Sequence, residues 1–294
     1  MMKIKNCSFY KHSLLVYSVS RGGEKMKTML EREMSFKYSY TLEERYEGYK
    51  IPIVSDAMFN TMINNESRKE YASYLIALAL DMDYKQVYDN IIFVKNKLDK
   101  KNKDEKGYEV DFVCKINNEI IGIEVNNNAN KAMLERNVSY MAELYKSKTL
   151  KDKAYEYQRV YQLNINNFTF EENDKIMERY MLKNEDNEVF FDKLQFIHIY
   201  LPNIRKKCYN NEEISKFEKL LLTFNEIDKD LLKEVSWGDE IMEQYIKDAI
   251  KASSEEEVIG LYDKELHQAK LHLNAYKKLQ NMGIKKDIKK VPKK

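Results

Sequence analysis

Residues 109–126 read EVDFVCKINNEIIGIEVN. Two strand-like runs flank Asn117-Asn118, a pair that tolerates positive φ and signals a two-residue hairpin turn. With that turn Ile116 pairs with Glu119, and counting outward sets Asp111 across from Glu124. Side chains alternate along a strand. One face therefore carries Val110, Phe112, Cys114, Ile116, Ile121, Ile123 and Val125, and belongs to the core. The other carries Glu109, Asp111, Val113, Lys115, Gly122, Glu124 and Asn126.

Directly opposed residues have Cβ atoms about 4.5–5.5 Å apart, and like charges at that spacing are destabilising. Two acids so placed imply a shared proton or a divalent cation between them. Gly122 adds to the case, because a missing side chain beside Glu124 leaves room for a ligand or a backbone to approach. The competing reading is a solvated strand face whose acids pair with Lys115 or with lysines elsewhere.

The rest of the composition narrows the class. At 294 residues the chain is long enough for one or two domains. Charged residues make up 33%, and only 8 Gly and 3 Pro are present, which favours a helix-rich globular protein over a loop-rich β architecture. The net charge of +2 is too mild to imply a nucleic-acid partner, so any such binding rests on local basic patches. Cys7, Cys114 and Cys208 are scattered without metal-ligand spacing, which argues against zinc and fits a reducing compartment. No run is long enough to span a membrane, and the apolar stretch Ser13 to Val19 is too short for a signal-peptide core. The default location is the cytoplasm.

Four regions are expected. Residues 1–35 lack periodicity and read as a poorly ordered lead, with Met26 as an alternative start. Residues 36–205 form the main domain. In it Ser55 or Asp56 caps a helix through Phe59 and Met62, Asn64-Asn65 breaks it, and a second helix presents Tyr71, Tyr74, Leu75 and Leu78. Ile91 to Val94 is a short strand. A helix over 131–146 is expected to bury Leu134, Val138, Met141 and Tyr145. Strands follow over 160–165 and 194–201, separated by an acidic excursion and ended by Pro202. Helix, strand, hairpin, helix, strand is the order of an α/β sandwich with a mixed sheet. Residues 206–283 read as all-helical, with stripes at Ile214, Phe217, Leu221 and Phe224 and at Ile241, Met242, Tyr245 and Ile246. Trp237 is expected to pack in the turn between helices. Ser254 and Glu257 read as a capping box opening a long last helix. There Ile259, Tyr262, Leu266, Ala269, Leu273 and Tyr276 make either a homodimer seam or, the favoured reading, a stripe packed on its own domain. Residues 284–294 form a lysine-rich tail.

An acid on one hairpin strand, an acid-x-polar triplet on the next, and a helix before and after resemble the PD-(D/E)XK nuclease superfamily. The segments PIVSDAMF (52–59), EVDFV (109–113), IEVNNN (123–128), LERNVSY (134–140) and HIYLPNIR (198–205) narrow the resemblance to its transposase-associated family, related to the recombination-promoting nucleases. The resemblance covers about residues 35–270. It implies a restriction-endonuclease-like fold and cleavage of DNA phosphodiesters with Mg²⁺ or Mn²⁺. It implies Asp111 and Glu124 as metal ligands with the Val125 carbonyl, Asn126 orienting water, and Asp56 as the acid opening the first helix. Arg136 and Tyr140 match a recurrent pair on the following helix; one helical turn apart, they suit contact with a phosphate and a base or sugar or, equally, bracing of the helix against the sheet.

Two departures stand out. Asn126 occupies the place of the superfamily's usual Lys, where relatives of this family often carry Gln or Asn, and Asn60 a place where many relatives carry Lys. A short neutral amide can hydrogen-bond a water but adds no charge. Lys115 and Lys131 are candidate substitutes, each more simply read as a surface lysine. The lysines at 95, 97, 100, 101 and 103 suit either a phosphate track or a solvated loop. His198 reads as a satisfied sheet residue before a general base. The alternative function is a DNA-binding or protein-interaction module on the same fold with weak or lost catalysis.

Overall fold

The computed structural model describes residues 51–94, 110–127, 129, 131–146, 158–170, 173–225 and 229–289. The lead at 1–35 and the lysine-rich segment at 95–109 lie outside them. Helices α1 (Asp56–Met62), α2 (Lys69–Leu80) and α3 (Tyr84–Asn90) precede strands β1 (Ile91–Phe93), β2 (Phe112–Ile116) and β3 (Glu119–Asn126). Helix α4 (Lys131–Lys146), strands β4 (Arg159–Asn166), β5 (Met177–Lys183) and β6 (Val189–Tyr200) follow. The chain then continues as α5 (Leu201–Tyr209), α6 (Lys216–Leu222), α7 (Lys229–Ser236), α8 (Glu240–Ala252) and α9 (Glu256–Lys289).

The strands form one mixed sheet in the order β1-β2-β3-β4-β6-β5. The turn is where the sequence puts it: Asn117 takes a left-handed φ of 52°, and Ile116 pairs with Glu119. From β3 to β4 the pairing turns parallel, with α4 as the crossover, and β4 is parallel to β6. This is the mixed α/β architecture expected, with helices on both faces.

One face holds the larger core. Phe112, Cys114, Ile121, Ile123, Leu163, Ile165, Ile197 and Ile199 meet the buried sides of α1 and α2, and the same cluster runs on through α5 to α9. The helical region after Tyr200 thus shares the sheet's core. On the other face Val113, Ile120 and Val160 pack against Tyr140, Met141 and Leu144 of α4. Val110 belongs to this second cluster, because the chain bends at Asp111 and the strand alternation does not reach back to it.

Several expectations are corrected. In α4 the buried positions are Met133, Asn137, Tyr140, Met141 and Leu144, whereas Leu134 and Val138 are exposed. The helix is rotated about one position from its apolar spacing because polar Asn137 takes a core slot. The excursion before β6 is strand β5, an edge strand without a fully buried residue and hence without an apolar signature. Strand β6 begins five residues earlier than expected, at Val189, and ends at Tyr200; Leu201 opens α5. Pro202 sits in the first turn of α5, where its missing N–H costs nothing. Ser254 does not cap α9: its hydroxyl bonds Ile250 O, and the Ile259 amide bonds Glu255 O. The capping box is instead Ser215 with Glu218, opening α6. Trp237 is 74% exposed in the α7–α8 turn. Residues 284–289, expected in the tail, continue α9.

Candidate active site

Ser55 caps α1 by accepting from the Met58 amide, and α1 presents Ala57, Met58, Phe59 and Met62 to the core. At the far end of α1, Asn64 Nδ2 donates to the Asp111 carbonyl at 3.0 Å and to Asn60 Oδ1 at 3.0 Å. The helix is thereby tied to the bend where β2 begins. Sequence reading took Asn64 only as a helix breaker and missed this role.

The last ladder pair is Phe112 with Ile123, so the next step places Asp111 beside Glu124. Each acid engages the other strand's backbone. The Asp111 amide donates to Glu124 Oε1 at 3.2 Å, and the Val125 amide donates to Asp111 Oδ2 at 2.8 Å. The N–H and C=O of one strand residue leave by the same edge. The Val125 carbonyl therefore faces the Asp111 side as well.

Glu124 is only 3% exposed. Burial first, and then the charge of Asp111, hold its carboxyl well above the usual carboxylate range. Arg136 and the Asp111 amide pull the other way. The pair therefore keeps a proton near neutrality, the behaviour of two acids sharing one site. Asp56 is exposed; it adds a weaker field at Glu124, and its amide bonds Glu265 Oε2 at 3.0 Å.

Gly122 does not open a ligand space. A Cβ there would lie 2.7 Å from Gln162 Oε1 and 2.8 Å from Leu144 Cδ1, so those side chains already fill the gap. Glycine is required for close packing of β3 against β4 and α4.

Asn126 is 2% exposed and stands in a line of hydrogen bonds. Arg136 Nη2 donates to Asn126 Oδ1 at 2.9 Å, and Asn126 Nδ2 donates to Asn166 Oδ1 at 3.1 Å. Asn166 Nδ2 contacts His198 Nδ1 at 3.3 Å. An amide nitrogen only donates, so Nδ1 accepts and the imidazole proton sits on Nε2. Burial agrees, pushing the His198 pKa down against the raising effect of Glu178. His198 is thus the buried sheet residue that the sequence suggests, and it also anchors this line.

Arg136 lies 3.8 Å from Glu124 Oε2 and 5.7 Å from the Tyr140 ring centre. Tyr140 itself is in the core, 8% exposed, where its ring supports Arg136 and offers little surface for a base to stack on. Side chains at Lys131 lie outside the described part of α4. Lys115 lies along β2 opposite Ile120 and Ile92.

Among the described residues no group of three or more His, Cys, Asp or Glu side chains gathers to hold one ion. Two carboxylates opposed across the open end of the hairpin, with a backbone carbonyl beside them, still fit a small hard cation. Mg²⁺ characteristically takes one or two carboxylates and leaves its other positions to water and substrate phosphate. Carboxylate and carbonyl oxygens are hard donors, which argues for a hard ion over zinc.

A protein-family model described as PD-(D/E)XK nuclease family transposase matches residues 53–277, well over half of the chain. No curated protein and no solved structure matches. The chain belongs to the PD-(D/E)XK nuclease family transposases.

Proposed function

We propose that this member of the PD-(D/E)XK nuclease family transposases is a divalent-metal-dependent DNA endonuclease acting in transposition or recombination. The observation that carries the reading is the reciprocal bonding of Asp111 and Glu124 across the hairpin, with excess proton held on a buried acid. A cation relieves that repulsion and releases the proton. Asp111, Glu124 and the Val125 carbonyl are assigned as the residues that hold Mg²⁺ or Mn²⁺, which when bound supplies water activation and charge at phosphorus. Asn126 has one amide hydrogen beyond its bond to Asn166, and that hydrogen is assigned to orienting the water. Asp56 is an auxiliary acid at the rim. Arg136 meets the DNA backbone, and Tyr140 acts through it.

The protein is assigned to the cytoplasm, with DNA as its partner. Among the described residues no helix is long and apolar enough to cross a membrane. The first part of α9 packs on its own core through Val258, Ile259, Tyr262 and Leu266, which favours the intramolecular reading of that stripe over a dimer seam.

A second reading, a binding module with weak or lost catalysis, draws on the neutral Asn60 and Asn126. The test is supercoiled plasmid incubated with Mg²⁺ or Mn²⁺ beside Asp111→Ala. Nicking by the wild type alone supports the nuclease; equal background in both proteins supports the binding module.

A further inference from the structure

We propose that Arg136 is the catalytic cation of this site, supplying from α4 the positive charge that the neutral Asn126 lacks, with Asn126, Asn166 and His198 as positioning residues. The inference rests on the nuclease reading above. Hydrolysis of a phosphodiester builds negative charge on the non-bridging oxygens. Water oxygen bonds to phosphorus as one bridging P–O bond breaks, the water loses a proton to solvent, and the departing oxygen gains one. Buried Glu124 and half-buried Asp111 add to that charge, so a cation held beside them has a large effect.

The geometry separates this role from simple neutralisation. A guanidinium placed to neutralise Glu124 would bind it through two short, parallel N–H bonds. Here the ion-pair distance is 3.8 Å, and the short bond, 2.9 Å, goes to the neutral Asn126 amide. That contact spends one of five donors and no charge. The Arg136 side chain is 45% exposed while that of Glu124 is 4% exposed, so the guanidinium stands at the mouth of the acid pair. Tyr140 supports it from within the helix, one turn on.

The line behind Asn126 explains why Arg136 stays there. The imidazole accepts from Asn166, which fixes Asn166 Oδ1 toward Asn126, which in turn fixes Asn126 Oδ1 toward Arg136. These contacts join β6, β4, β3 and α4. Reversing any one amide would set donor against donor. The line therefore presents an acceptor to Arg136 in one orientation only.

The experiment is steady-state plasmid cleavage by the full chain with Mn²⁺, comparing wild type, Asp111→Ala, Arg136→Gln, Arg136→Lys and the double variant Arg136→Gln/Asn126→Lys. Losing one charge-stabilising group typically costs about 10²–10³-fold in kcat. The expected result is a fall of that size in kcat for Arg136→Gln with KM for DNA changed less than about threefold, and partial retention in Arg136→Lys. The double variant, which returns a cation to the neighbouring position, regains at least about tenfold over Arg136→Gln. A rise in KM with unchanged kcat would make Arg136 a backbone contact only and overturn the inference while leaving the nuclease reading intact. Failure of the double variant to regain activity, with its melting temperature preserved, would also overturn it. Wild-type cleavage no greater than Asp111→Ala would overturn both.

Discussion

Replacing Glu124 by Gln should stabilise the metal-free protein and at the same time abolish its response to metal. The folded protein keeps a proton on the acid pair because Glu124 is buried beside Asp111, whereas in the unfolded chain Glu ionises at about pH 4.3. A group whose pKa is raised on folding contributes stability below its unfolded value and loses it as pH rises toward the folded value. The loss is about 1.36 kcal/mol per pH unit, which sets a ceiling of about 3–4 kcal/mol at pH 7. Arg136, 3.8 Å away, offsets part of this. Gln retains an oxygen for the Asp111 amide, so a net gain of about 1–3 kcal/mol is expected, or roughly 2–10 °C in Tm. Wild type gains about 2.7 kcal/mol at a metal concentration one hundred times Kd; the variant gains nothing. Thermal melts of both proteins with and without Mg²⁺, at pH 5.5 and 7.5, check both arms. The difference between the metal-free proteins should widen with pH. A variant that is less stable without metal, or one that keeps the full metal-dependent rise, would refute the reasoning.

Metal binding should release about one proton at neutral pH, and its affinity should rise up to about tenfold per pH unit until Glu124 ionises on its own. Calorimetric titration in two buffers of different ionisation enthalpy reads this release directly. Asn64→Ala removes the bond to the Asp111 carbonyl and should cost about 1 kcal/mol of stability while weakening Mg²⁺ binding several-fold; an unchanged metal titration would separate Asn64 from the site. Gly122→Ala forces Gln162 and Leu144 apart inside a packed layer and should cost about 1–3 kcal/mol by thermal melt. A neutral effect there would show that Gln162 and Leu144 yield readily to a Cβ placed 2.7 and 2.8 Å from them.

What the sequence revealed and what it hid follow from the range of the interactions. The hairpin is local: Asn117-Asn118 sets the register and alternation sets the faces, so the Asp111–Glu124 opposition could be counted out. Val110 escaped because the bend at Asp111 interrupts the alternation. Strand β5 escaped because an edge strand exposed along most of its length carries no apolar period. The rotation of α4 escaped because a polar residue, Asn137, occupies the buried stripe. The Arg136–Asn126–Asn166–His198 line depends on the parallel register of β3, β4 and β6, which joins residues up to 72 positions apart in the chain. No local pattern encodes such a register. Gly122 was correctly singled out, but its absent side chain makes room for Gln162 and Leu144, a fact of packing that only the assembled layers reveal.

The central claim is that Asp111 and Glu124 together hold the ion at which DNA is cut. Anomalous diffraction from a crystal soaked in Mn²⁺ tests it most directly, since the ion's position is read without reference to activity. The account predicts one peak between the two carboxylates, with oxygen ligands at about 2.1 Å that include the Val125 carbonyl, and its disappearance in Asp111→Ala. A Mn²⁺ peak only elsewhere, or one that survives unchanged in Asp111→Ala, would contradict it.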